Sequence, residues 1–167
     1  MLSFQTCGES HGKALIGVIT GLPAGVPIDK EAIDNELRRR QQGYGRGGRM
    51  AIEKDQIEIL SGVRHQMSLG SPIAFLIANK DHPNWESVMS SDKNVNPDER
   101  QVTSPRPGHA DLPGAIKYYH RDMRNVLERA SARETASRVA AGAIFKQFLA
   151  AFNIYIYSQV VAIGEVK

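Results

Sequence analysis

Residues 129–152, RASARETASRVAAGAIFKQFLAAF, decide how the chain is read. The run is rich in alanine, free of proline and apolar over most of a helical circumference, the profile of a buried helix. Ser131 and Glu134 have the S-x-x-E spacing of a capping box, in which the Ser oxygen accepts from the backbone N–H three residues on and the Glu side chain reaches back to the cap. Arg129 and Arg133 flank that start, where a helix presents free N–H groups and a partial positive charge. A buried helix with so cationic an N-terminus asks for an anion.

On its C-terminal side, residues 154–163 (IYIYSQVVAI) have the composition of a closing strand. On its N-terminal side, a helix is expected from Pro113 and Gly114 through Tyr118 to Leu127. Residues 14–21 (ALIGVITG) read as a strand that Pro23, Gly25 and Pro27 break. Asp29 is a good N-cap, with Ile28 and Ile33 placed as a hydrophobic staple. The helix it opens runs to about Gln42, carries Ile33 and Leu37 on one face and ends in Arg38, Arg39 and Arg40. Residues 56–60 alternate as a half-buried strand and residues 72–78 read as a more buried one. The polar stretch 80–101 reads as a long loop, and loops of that size in compact domains tend to be lids or sites.

No internal repeat or domain boundary interrupts the 167 residues, so a single domain is expected. With 41% hydrophobic and 23% charged residues the composition is that of a folded globular protein. The net charge of +3 suits a protein that handles small anions as well as one that touches nucleic acid. The single cysteine, Cys7, excludes an internal disulfide, and residues 1–5 lack the apolar core of a signal peptide. A reducing cytoplasm is the default compartment. No apolar run approaches the roughly 18 residues that span a bilayer, so no membrane partner is expected.

Arginine dominates the candidate chemistry. Residues 38–49 hold five arginines and no acidic residue, within RRRQQGYGRGGR. For Arg46 and Arg49, inside the glycine loop, phosphate or carboxylate binding is the better reading. For each of Arg38, Arg39 and Arg40 a solvated last helical turn is the better one. Gly43-x-Gly45-x-x-Gly48 matches the dinucleotide fingerprint in letters but follows a helix and precedes a strand, the reverse of the required order, so it is rejected. In SPRPGHAD (104–111), two prolines hold Arg106 and His109 in place. His11, in GESHG (8–12), and His109 each stand beside a glycine and near a carboxylate, Glu9 or Asp111. Either could move a proton near neutral pH. His65, His82 and His120 read as surface residues, Cys7 as a small buried one, and no metal-ligand spacing occurs.

Taken together, GESHG, the 38–49 run, RPGHAD (106–111) and ERASARET (128–135) resemble the N-terminal half of the chorismate synthase family, in the family's order and across nearly the whole chain. The resemblance implies an α+β fold, a β-α-β sandwich with buried helices between mostly antiparallel sheets, of which this chain is an incomplete fragment. It implies a lyase that performs the anti-1,4-elimination of phosphate from 5-enolpyruvylshikimate 3-phosphate, giving chorismate in the shikimate pathway of aromatic amino acid biosynthesis. Reduced FMN is needed although nothing is oxidised or reduced overall. By the same resemblance His11 protonates or steadies the departing phosphate, and His109 supports the reduced flavin. Arg40, Arg46, Arg49, Arg106 and Arg133 hold the substrate's phosphate and carboxylates, with Arg40 and Arg46 also linked to NADPH. Arg129, Ala130 and Ser131 contact FMN, through backbone N–H groups around Ala130 and Ser131 if the Ser131 side chain stays on its cap. The family assembles as a homotetramer.

Two rival readings stay beside it. One is a basic RNA- or anion-binding module built on the 38–49 run, with salt-dependent affinity and no flavin. The other is a folded but inactive half of the enzyme.

Overall fold

A computed structural model describes residues 1–43 and 52–166. Its centre is an antiparallel sheet of β1 (Ser3–Cys7), β2 (Ala14–Thr20), β4 (Glu58–Ser61) and β7 (Ile73–Ala78), in the order β1-β2-β7-β4. β2 and β7 are the inner strands, and one face of each is fully buried: Leu15 opposite Ile77, Gly17 opposite Phe75, Ile19 opposite Ile73. Gly17 is there for space. A β-carbon on it would lie 2.2 Å from the tip of the Phe75 ring, which has no exposed surface. Gly17→Ala is therefore expected to lower stability by about 1–3 kcal/mol through overpacking, read as a lower urea midpoint. An unchanged midpoint would show that the ring is free to move aside.

The second sheet has three strands, β3 (Ala24–Pro27), β6 (Met67–Leu69) and β5 (Val63–Arg64), in the order β3-β6-β5. His65 and Gln66, both at positive φ (50° and 60°), make the two-residue turn between β5 and β6. That geometry matches the right-handed twist of the flanking strands.

Helix α1 (Lys30–Gln41) begins as its sequence dictates: the Asp29 side chain accepts from the Glu31 N–H at 2.9 Å, and Ile28 and Ile33 are both buried. Helix α4 (Thr135–Ala150) is the buried helix. It packs on α1, on β1, β2 and β7 of the first sheet and on β3 of the second. Alanines at 136, 140, 141 and 143 let it lie close to the sheets, and Ile144 fills the space beyond them. Antiparallel sheets with a buried helix between them are the α+β arrangement expected.

Three local readings need correction. The helix expected through Tyr118 to Leu127 is two: α2 (Asp111–Tyr118) and α3 (Arg124–Leu127). Tyr119 takes a left-handed conformation (φ 57°), and its N–H and that of His120 converge on the Ala115 carbonyl, closing the first helix. Asp122 opens the second by accepting from the Arg124 N–H at 2.9 Å. The strand expected at 154–163 does not form; the run is exposed, and only a bridge between Ile163 and Val166 occurs there. Strand composition does not make a strand where no neighbouring edge takes its hydrogen bonds. The capping box is half made. Ser131 caps a short 3-10 turn (Ala132–Glu134) leading into α4, accepting from the Arg133 N–H at 3.2 Å. Glu134 turns away from the cap to Thr6 (2.5 Å) and Arg138 (2.9 Å).

Among the described residues, no helix is long and apolar enough to cross a membrane.

Candidate active site

Three polar clusters form around the segments singled out in the sequence. The first is centred on His11, in the turn between β1 and β2. Its Nδ1 lies 2.9 and 2.8 Å from the two carboxylate oxygens of Glu128, and its backbone N–H donates to the same carboxylate at 3.0 Å. The adjacent Ser10 N–H donates to the Glu128 carbonyl at 2.9 Å, so the turn is fastened to the end of α3 twice over. The His11 ring stacks on Trp85, with centroids 3.9 Å apart. Trp85 closes a 3-10 turn (His82–Trp85) at the start of the long loop, and the Arg100 guanidinium sits 4.1 Å from its ring centroid. His82 donates from Nδ1 to the His11 carbonyl at 3.0 Å, which corrects its reading as a surface residue without a partner. Glu128 is almost fully buried. Burial would raise its carboxyl, but hydrogen bonds from His11 and from Arg124 (2.8 Å) outweigh that and hold it below the usual carboxylate range. The carboxylate that meets His11 is therefore Glu128 and not its sequence neighbour Glu9.

The second cluster joins Arg106, His109 and Asp111. Asp111 is fully buried and receives the Arg106 backbone N–H (3.0 Å), the Arg106 Nε (2.9 Å) and His109 Nδ1 (2.5 Å). Here the sequence pairing of histidine with carboxylate holds. The Arg106 hydrogen bond, ahead of the opposing effect of burial, places the Asp111 carboxyl far below its ordinary value. Asp111 in turn raises Arg106, and the charge of Glu128 adds to that, tying the first two clusters together electrostatically.

Because the folded-state value of Asp111 is depressed, its contribution to stability is present above the unfolded value near 3.9 and is lost as pH falls below it. The stability difference between the protein and its Asp111→Asn variant is therefore expected to shrink between about pH 5 and about pH 3. Urea unfolding at the two pH values measures this, and an equal gap at both would refute it.

The third cluster surrounds the start of α4. Arg133 is buried and fully engaged: Nη1 on both oxygens of Asp55 (2.6 and 2.7 Å), Nε on Asn79 (2.9 Å), Nη2 on the Ala78 carbonyl (3.4 Å) and 3.6 Å from Glu53. Arg40 reaches the same helix start, donating to Thr135 (2.9 Å) and the Ala132 carbonyl (3.0 Å), with Asp55 at 3.5 Å. Arg129 donates to the Thr6 carbonyl (2.8 Å) and hydroxyl (2.9 Å), with Glu134 at 3.5 Å. The anion that the cationic helix start asked for is thus in large part the protein's own: Asp55, Glu53 and Glu134.

Of the residues tied to flavin, Arg129 and Ala130 line a cavity of about 540 Å³ with Ala110, Pro113, Tyr118, His120 and Val126. The Ala130 N–H is not available there, because it donates to the Val126 carbonyl at 2.9 Å. Ser131 keeps its side chain on the cap. Arg46 and Arg49, with the rest of 44–51, lie outside the described residues; on either side of them the Gln41 side chain donates to the Glu53 carbonyl at 2.6 Å. Cys7 is exposed on the edge strand β1, not buried. Among the described residues no group of three acidic, histidine or cysteine side chains could hold a metal. Sequence reasoning missed Glu128, Trp85, Asp55 and Asn79. Only the position of Glu128 just before the helix start hinted at a role.

Comparison with known proteins bears on what these clusters serve. A family model described as chorismate synthase matches residues 2–167. The chain is 59% identical over 167 residues to the chorismate synthase of Syntrophomonas wolfei, covering all of this chain and 42% of that protein. It is 59% identical over 164 residues to that of Aquifex aeolicus, covering 98% of this chain and 41% of the relative. A solved structure titled "Crystal Structure of Chorismate Synthase" superposes with a TM-score of 0.69 at 47% identity, over 92% of this chain and 36% of that one. The chain spans less than half the length of these relatives. With the family model running from its second residue to its last and the fold shared with a solved relative, the chain belongs to the chorismate synthase family.

Proposed function

We propose that the intact protein is a phosphate lyase that converts 5-enolpyruvylshikimate 3-phosphate to chorismate with reduced FMN. The observation that carries this is the pair His11 and His109, each held by a buried carboxylate inside a family match that covers the chain. The net reaction breaks the bond from carbon to the phosphate oxygen and removes the C6 hydrogen, with no overall change in oxidation state. His11 gives a proton to the departing phosphate or steadies its charge. Arg106, half exposed beside His109, together with Arg46 and Arg49, holds the anionic groups of the substrate. Arg40 and Arg133, both held by Asp55, are the further candidates for the substrate's anionic groups, and Arg40 with Arg46 is where NADPH would approach.

The cavity beside Arg129 and Ala130 fits a flavin. Its volume is in the range of small-molecule sites, its walls are largely apolar, and Lys117 offers a cation for a phosphate, while the Arg129 guanidinium is engaged by Thr6 and Glu134. His109 immediately precedes Ala110, one of the residues lining it. Bound there, reduced FMN would supply electron density for the elimination, with His109 supporting its reduced form. A homotetramer in the cytoplasm, with small-molecule and no nucleic-acid partners, completes the reading. Arg39 is paired with Glu36 on the helix surface and Arg40 with the buried Asp55, charge that an RNA backbone would need, which favours small anions.

The coverage of the relatives favours one further reading: these 167 residues, taken alone, bind flavin without turnover. Titration with reduced FMN, with and without substrate, followed by a chorismate assay, separates the readings. Turnover by the intact protein supports the lyase. Binding by the 167 residues without turnover supports the inactive half. RNA binding without flavin binding overturns both.

A further inference from the structure

The contacts of His11 are asymmetric. Nδ1 faces a carboxylate that is almost completely buried, and Nε2 is 4.0 Å from the less buried Asp81 carboxylate. An ionised carboxylate only accepts hydrogen bonds, so the Nδ1 that touches both Glu128 oxygens must carry a proton. The carboxylate cannot rotate away. Arg124 holds one of its oxygens at 2.8 Å, the His11 backbone N–H holds the other at 3.0 Å, and the ring of His11 is kept in plane by Trp85. On the far side, the His82 Nδ1 fixes the His11 carbonyl. Both carboxylate oxygens of Glu128 are thus already occupied by donors from His11 and Arg124.

We propose that Glu128 is the positioning residue of His11: it fixes the ring as the Nδ1–H form, so that Nε2 is the nitrogen that exchanges a proton with the departing phosphate. This rests on the lyase reading for the identity of the acceptor but not for the coupling between the two residues. With both ring nitrogens protonated, the Nε2 proton passes to a phosphate oxygen as the carbon–oxygen bond breaks, leaving the neutral ring with its Nδ1–H still donated to Glu128. Glu128 itself touches no substrate. Its contribution is the orientation and tautomer of another side chain, a role in which wrong-tautomer variants lose most of their rate.

The test is a double-mutant cycle in the intact protein, with Glu128→Gln, His11→Ala and the pair, joined to ¹⁵N NMR of the His11 ring. The amide introduced by Glu128→Gln must turn its NH₂ group toward one of the donors that now surround the carboxylate, so the Nδ1–H form loses its preference. Glu128→Gln is expected to lower kcat roughly 10²–10³-fold with a small change in KM, and to move the Nδ1 resonance away from that of a protonated nitrogen. On the His11→Ala background the same change is expected to cost almost nothing, because residues that act as a unit are non-additive. An equal further loss on that background, or a His11 resonance unchanged by Glu128→Gln, overturns the proposal. Glu128→Asp, which keeps the charge, serves as the second variant and is expected to retain the Nδ1–H resonance even if Glu128→Gln fails to fold. Absence of chorismate formation by the unmodified protein would overturn the lyase reading instead, and the NMR comparison would still decide the coupling.

Discussion

Arg133→Met is expected to lower the unfolding free energy by roughly 3–5 kcal/mol, the cost of leaving buried charge without its partner. Asp55 is all but inaccessible and takes two hydrogen bonds from Arg133; Glu53, also buried, stands 3.6 Å from the same guanidinium, and Asn79 loses the donor to its side-chain oxygen. Methionine approaches the length of arginine and supplies none of these. Arg40, 3.5 Å from one Asp55 oxygen, already donates to Thr135 and the Ala132 carbonyl and so replaces Arg133 only in part. Changing Asp55 to Asn as well should return part of the loss, since an uncharged amide is easier to bury than an unpaired carboxylate. Urea unfolding of the single and double variants measures both effects. A single variant within about 0.5 kcal/mol of the parent would show that solvent reaches the cluster.

On the proposed reaction, His11→Ala in the intact protein is expected to reduce kcat by about 10²–10⁴-fold, the usual contribution of a positioned general acid. The effect should fall on kcat more than on KM, because the arginines that bind the substrate's anionic groups are untouched. Stability should change less than for Arg133, since the His11 ring is partly exposed and its loss leaves Glu128 still paired to Arg124 at 2.8 Å. Steady-state kinetics with reduced FMN provide the measurement, and a kcat within about twofold of the parent would remove His11 from the chemistry.

What could be seen from the sequence was local. Asp29 opening α1, the Ile28 and Ile33 pair around it, and the strands β2 and β7 all follow from residues within a few positions of one another. The two histidine loops were legible for the same reason, and the Asp111 that holds His109 is two residues away. Glu128 is 117 residues from His11 and Asp55 is 78 from Arg133, and no spacing rule reaches that far. From the sequence alone, the nearest acidic residue, Glu9, therefore reads as the partner of His11. Residues 154–163 failed for a related reason: alternating aromatic and β-branched residues specify what a strand would bury but not which edge it would join. Residues 80–101 are largely loop, as their composition predicts, and the first turn delivers Trp85 to the His11 ring.

The Arg133 cluster also bears on how the fold is reached. An apolar side chain gains something from any greasy neighbour, so a half-built core is already partly rewarded. Arg133 gains nothing until β7, the segment before β4 and the start of α4 have all arrived, because each missing partner leaves a buried charge or amide unsatisfied. Placed where the chain's middle meets its last helix, the cluster penalises partial assembly and makes the transition between unfolded and folded chain closer to all-or-none.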